Sequence, residues 1–222
     1  MSSALPVSTT RTDIVAAVCR AVVGAAPYVG SAAAEAITAL IPNQKLDRVV
    51  GFVGELDRRV AQLELSEQVL AEHWQSAPFL DLFEDAMLQA SRALSDERRR
   101  YLASLLASGL AANELNHAQV KKLLRILDAV TDEEVIVLRD MSFSDLDERR
   151  AFRARHLALL DPASDELGAS QEELDRGSIL RSYKQSLVSV GLLEQSALLA
   201  DDRLANLRAT GLGKLLLRYI LS

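Results

Sequence analysis

One cysteine, Cys19, stands in a chain of 222 residues, so no internal disulfide framework can form and a reducing, cytoplasmic compartment is expected. Cys19 sits in the apolar run "IVAAVCRAVV" and reads as a small buried hydrophobe without a base partner. The sequence has no glycine-rich phosphate loop and no Gly-x-Ser-x-Gly element, which argues against a nucleotide-binding loop and a nucleophile elbow. Its three histidines, His73, His117 and His156, are far apart. Glu114 and His117 form a Glu-x-x-His half-motif that di-metal bundles use twice and that occurs here once. These absences point to a protein that is not an enzyme and that needs no cofactor and no metal. A basic segment followed by an apolar core and a cleavage site is missing as well, so secretion is not expected. Nor is there an apolar run of about 20 residues of the kind that spans a bilayer. Ile14 to Ile41 carries only Arg20 and Glu35 as charges, but Gly24, Pro27 and Gly30 interrupt it. It reads as a buried helical hairpin, with a membrane-inserting hairpin as the competing reading. Aromatic residues make up only 5% of the chain, so Leu, Ala and Val must build the core.

Hydrophobic residues at 49% and charged residues at 25% are ordinary for a globular protein of this length. The chain reads as helices with short breaks. Residues 1–12 form a polar terminus, followed by helices from about Asp13 to Val23 and over "SAAAEAITALI". From Leu46 the apolar positions Leu46, Val49, Val53, Leu56, Val60 and Leu63 alternate at spacings of three and four. This heptad seam can serve self-association, but it is short enough that packing inside a bundle is the better reading. Gly51 and Gly54 within it would admit a close neighbour. Pro78 marks the next break, and Phe79, Leu80, Phe83, Met87, Ala90 and Leu94 outline another helix. Ser95 reads as the N-cap of a helix that turns Tyr101, Leu102, Leu105, Leu106 and Leu110 to one side. The run "NELN" breaks it, and Ala118 to Val130 follows. Thr131 and Glu134 make a capping box for the next helix. Arg98–Arg100 and Arg149, Arg150, Arg153 and Arg155 are basic runs preceded by acids; pairing along one solvated helix face is the expected arrangement, with phosphate binding as the alternative.

Residues 176–222 differ in charge from everything before them. They carry a local balance of +4, whereas the whole chain is −6. They follow an acidic loop, residues 161–175, with a single helical turn after Ser170. The order outlines a winged helix: a first helix Thr131–Met141, a second Ser144–Leu160, and a third, in the recognition position, Gly177–Val190. Ile179, Leu180, Tyr183, Leu187, Val188 and Val190 would face inward, and Arg181, Ser182, Lys184, Gln185 and Ser189 outward, where such residues can meet phosphates and base edges. Gly191 would cap that helix in the left-handed conformation. Leu192–Leu199 and Leu204–Ala209 would form the wing, turning at residues 200–203, and Thr210 would cap a last helix. Arg176, Arg181, Lys184, Gln185 and Arg203 are the candidate nucleic-acid contacts. Asp201 and Asp202 at the wing tip oppose that role, and Lys214 and Arg218 fall on the last helix, away from the recognition face.

The order "LSDERRRYLASLLASGL", "HAQVKKLLRILDAVTDEEVIVLRDM", "LVSVGLLEQ" and "LRATGLGKLLLRYI" resembles the abortive-infection alpha family and its uncharacterised bacterial relatives over about residues 94–222. The family more often ends in an "LTPFG"-like run where this chain has "RATGLG". The resemblance implies a cytoplasmic bacterial protein linked to phage defence and carries over no active-site residues.

The expected architecture is thus mainly α: a helical bundle over residues 13–130, then a winged-helix-like subdomain over residues 131–222 with a small two-stranded β-hairpin. The expected function is non-enzymatic and works through a protein partner or self-association. A winged-helix nucleic-acid-binding regulator is the alternative, and a membrane-active effector using residues 14–41 is the second.

Overall fold

A computed structural model of the chain describes residues 43–63, 76–110, 116–160, 170–195 and 207–222. Cys19, His73, Glu114, the apolar segment 14–41 and the wing tip with Arg203 lie outside the described residues. The described residues are mainly helical, with one two-stranded antiparallel sheet. In chain order the elements are α1 (Asn43–Val60), α2 (Ala77–Arg92), α3 (Asp96–Leu110), α4 (His117–Ala129), α5 (Asp132–Asp140), α6 (Leu146–Arg155), α7 (Leu157–Leu160), α8 (Gln171–Ser189), β1 (Leu193–Gln195), β2 (Leu207–Ala209) and α9 (Gly211–Ile220). The chain divides into two compact units between Lys121 and Lys122.

In the first unit, α1 packs against α2 and α3. Val49, Leu56 and Val60 of the heptad seam are buried, together with Phe52, while Val53 and Leu63 are half-buried. The Leu46 side chain lies outside the described set. The seam is therefore occupied within the chain. Phe52, Phe83 and Phe79 form its aromatic centre, with ring centroids 6.1 and 6.2 Å apart along the series. A fully buried side chain of this size is worth about 1.5–3 kcal/mol. Of the two glycines in α1, Gly54 faces open space and Gly51 faces only the Arg99 side chain, so neither admits a neighbouring backbone. Ser76 caps α2 and Pro78 stands in its first turn, where a missing N–H costs nothing. Leu94 lies past the end of α2 and is exposed. Ser95 Oγ accepts from the amide of Arg98 at 3.0 Å and starts α3, which buries Ala103, Ser104 and Ala107 as well as its leucines. Asn116, read in the sequence as a breaker, is the N-cap of α4: its Oδ1 accepts from Gln119 N at 3.0 Å, and Gln119 Oε1 accepts from Asn116 N at 2.9 Å.

In the second unit, α8 packs against α5, and α9 packs against α5 and β2. The Thr131–Glu134 capping box opens α5, with Thr131 N donating to Glu134 Oε2 at 2.8 Å. The helix expected over Ser144–Leu160 begins at Leu146 with Asp145 as its cap, and it is two pieces, α6 and α7, separated at His156. The third helix begins at Gln171 rather than Gly177. Ser170 and Glu173 form a second capping box, and the helical turn expected after Ser170 runs on without a break into the third helix. Gly191, at φ 77°, ends α8. Leu192 N donates to Leu187 O at 2.9 Å and Gly191 N to Val188 O at 3.0 Å, the paired bonds of a Schellman motif. β1 and β2 pair in the register Leu193–Ala209, Glu194–Arg208 and Gln195–Leu207. Thr210 caps α9 and also reaches back, its N–H donating to Leu192 O at 3.0 Å and its hydroxyl lying 2.8 Å from Gly191 O.

Candidate interaction surface

The outward face of α8 is set by its two ends. Gly177 and Leu187 are buried, and Leu180, Tyr183 and Val190 are half-buried beside them. Burial first, then the charges of Glu133 and Glu134, push the Tyr183 phenol up, so it stays neutral and donating. Ile179 and Val188, expected inside, are 52% and 38% exposed, because the buried stripe runs through Gly177 and Leu180 instead and leaves both at its margins. Arg181, Ser182, Gln185 and Ser189 are exposed as expected, and Lys184 is half-buried at the edge. Arg181 Nη2 rests 3.2 Å from Ser178 Oγ, one turn earlier. Arg176 is paired with Glu172 at 3.3 Å.

The structure thus brings four of the five candidate nucleic-acid residues onto one helix, with Arg203 outside the described residues. Three acids of the same helix, Glu172, Glu173 and Asp175, equal its three bases, Arg176, Arg181 and Lys184. Beside the polar groups stand the exposed Leu174, Ile179 and Val188. The outward face thus carries apolar side chains among short polar ones, with little net charge.

A second cluster, which the sequence reading missed, joins α5 to α6. Asp140 at the end of α5 is fully buried and accepts from Arg149 (Nε at 3.0 Å, Nη2 at 2.9 Å) and from Arg153 (Nε and Nη2, both 2.8 Å). Burial alone would push the Asp140 carboxyl up, but the hydrogen bonds from Arg153 and Arg149 outweigh it and hold the group below the usual carboxylate range. The sequence assigned these arginines to local pairs along α6. Only Arg150 makes one, with Asp147 at 2.8 Å. The available signal was an acid ending one short helix ahead of a helix carrying arginines four residues apart. In the first basic run, Arg99 pairs with Asp96, and Arg100 with Glu97 at 2.6 Å, as the local rule expects.

His117 meets Asp81 rather than a metal set: its Nε2 lies 2.8 Å from Asp81 Oδ2, and Lys121 Nζ lies 2.6 Å from the same carboxylate. The hydrogen bond from Lys121 holds Asp81 below its ordinary range, with His117 adding to it. Among the described residues no group of three or more His, Cys, Asp or Glu side chains is placed to hold a metal ion, and no helix is long and apolar enough to cross a membrane. Comparison with protein-family models, with curated proteins and with solved structures returned no match.

Proposed function

We propose that this chain is a non-enzymatic protein that acts through macromolecular contact, with the outward face of α8 as its docking surface. The observation that supports the reading is the exposure of Leu174, Ile179 and Val188 beside Arg181, Ser182 and Gln185 on a helix fixed at both ends. The order α5, α6, α8, β1, β2, α9 is read here as winged-helix-like, with α8 in the recognition position and the β1–β2 pair as the base of a wing. The resemblance of residues 94–222 to abortive-infection alpha proteins is what supports reading the proposed contact as part of bacterial phage defence. A photo-crosslinking residue at Ser182, in bacteria expressing the full chain and challenged with phage, is expected to trap one protein adduct that Val188→Glu abolishes. Hydrolysis of nucleotide or nucleic acid by the purified protein alone would overturn the reading.

A second reading, duplex DNA binding through Arg181, Lys184 and Gln185, is favoured by the exposure of Arg181 and Gln185 on the same face. Binding would then fall steeply between about 50 and 200 mM salt and vanish on combining Arg181→Glu with Lys184→Glu. Unchanged binding in that double variant removes α8 as the DNA contact.

A further inference from the structure

Asp140 holds Arg149 and Arg153 by the same edge. In each guanidinium the Nε and Nη2 groups are spent on the carboxylate. The Nη1 groups donate to nothing among the described residues, and the two side chains are 30% and 41% exposed. Two more arginines gather on the same pair of helices. Arg139 and Arg155 place their Cζ atoms 5.0 and 5.8 Å from the centroid of the Phe152 ring, and neither makes an ion pair among the described residues. The His156 ring, one turn on, lies tilted at 44° against Phe152, with centroids 4.5 Å apart. The nearby acids are largely committed: Asp147 to Arg150, and Asp145 to the amides that start α6. Glu148 remains, exposed on α6. Arg139, Arg149, Arg150, Arg153 and Arg155 exceed Asp140, Asp145, Asp147 and Glu148 by one positive charge.

A guanidinium already clamped on one edge, or laid against an aromatic ring, has surrendered most of its rotamer freedom before any ligand arrives. Its free N–H groups match the spacing of phosphate oxygens. We propose that the arginine cluster on α5 and α6 (Arg139, Arg149, Arg153 and Arg155, organised by Asp140 and Phe152) binds a phosphate group. Asp140 acts there as a positioning residue that aims two guanidiniums and touches no ligand. The phosphate can be free or part of a nucleic-acid backbone, and the two sources differ in what they leave measurable.

The full-length protein is titrated with inorganic phosphate, read by calorimetry and by the NMR pKa of His156, and with duplex DNA, read by anisotropy across a salt series. The principal variant combines Arg139→Gln with Arg155→Gln, which leaves the Asp140 clamp intact. A second, Arg153→Lys, keeps the charge but loses the fork, and circular dichroism establishes that both fold. For a free phosphate, binding raises the His156 pKa, and affinity falls about tenfold for each guanidinium removed. For a backbone phosphate, inorganic phosphate is silent, and the log–log salt slope of DNA binding drops by about two in the double variant. The proposal is overturned if neither probe binds the wild type, or if the folded double variant binds both as the wild type does.

Discussion

Two glycines of α9 sit two residues apart, and replacing each with alanine should move stability in opposite directions. At Gly211 an added Cβ meets nothing within 4 Å. Alanine there removes backbone freedom from the unfolded chain and improves helix propensity, a gain of about 0.5–1 kcal/mol. At Gly213 the same Cβ would overlap the backbone oxygen of Leu192 and press on Leu138 Cδ1 at 3.1 Å. The leucine methyl can swing away, but the carbonyl cannot move cheaply. It accepts from Thr210 N at 3.0 Å, and Thr210 Oγ1, 3.2 Å away, receives the Gly213 amide at 3.0 Å as the N-cap of α9. Displacing Leu192 O weakens a backbone bond worth about 1 kcal/mol and disturbs a cap worth about 1 kcal/mol more. Repacking where β1 begins adds to that loss. After the propensity gain is returned, Gly213→Ala should destabilise by about 2 kcal/mol. Urea unfolding followed by far-UV circular dichroism gives the two signs, and amide exchange over α9 and β1 locates the loss. A Gly213→Ala protein as stable as Gly211→Ala would refute the reasoning, because the close approach of α9 to Leu192 would then carry no energetic weight.

Asp140→Asn should cost about 2 kcal/mol at neutral pH, less than the 3–5 of a fully buried pair because both arginines retain solvent contact. The folded-state pKa of Asp140 is depressed, so its contribution is complete above the unfolded value of about 3.9 and is lost as pH falls through the folded value. The wild type should therefore lose this component below about pH 4 in an acid titration. The Asn variant should lack it, and identical acid limbs in the two proteins would refute the assignment. Thr131→Ala and Asn116→Ala should each cost about 1 kcal/mol in thermal unfolding, since each removes an N-cap acceptor; no change at Asn116 would return it to the role of a simple breaker. The cross-strand pair Arg208–Glu194, 64% and 47% exposed, should contribute under about 1 kcal/mol in a double-mutant cycle, and a larger coupling would mean that the hairpin is less solvated than its surface indicates.

The helix starts were legible because a cap is a local object. Ser95, Thr131 and Thr210 each act within three residues of themselves, and each does in the structure what its spacing announces. Ser170 obeys the same rule: the sequence places a helical turn after it, but the acidic stretch hides that this Ser-x-x-Glu capping box opens the long helix itself and not a separate turn. Gly191 was legible for a similar reason, since a glycine between an apolar helix end and a β-branched or leucine-rich start has one common use. Contacts that cross between elements were not. Nothing within three or four residues of Arg149 or Arg153 points to Asp140, which lies on the preceding helix, so the pairing rules for a single helix directed these arginines to the wrong partners.

The orientation of α8 combines both cases. Its apolar residues are spread around the helix, so periodicity alone points Ile179 and Val188 inward along with Leu180, Tyr183, Leu187 and Val190. The structure keeps the last four of these and leaves Ile179 and Val188 outside, because the ends of the helix are pinned. At the C-terminus, Gly191 turns the chain so that Leu192 bonds back to Leu187, and Thr210 ties Gly191 and Leu192 to the start of α9. That fixes Leu187 inward, and a helix allows no independent rotation of the residues seven and ten positions earlier, Leu180 and Gly177, which follow it to the same side. Arg181 and Gln185 are then carried outward by geometry, whatever their own preference for water. The same rigidity places Leu174 and Val188 in solvent.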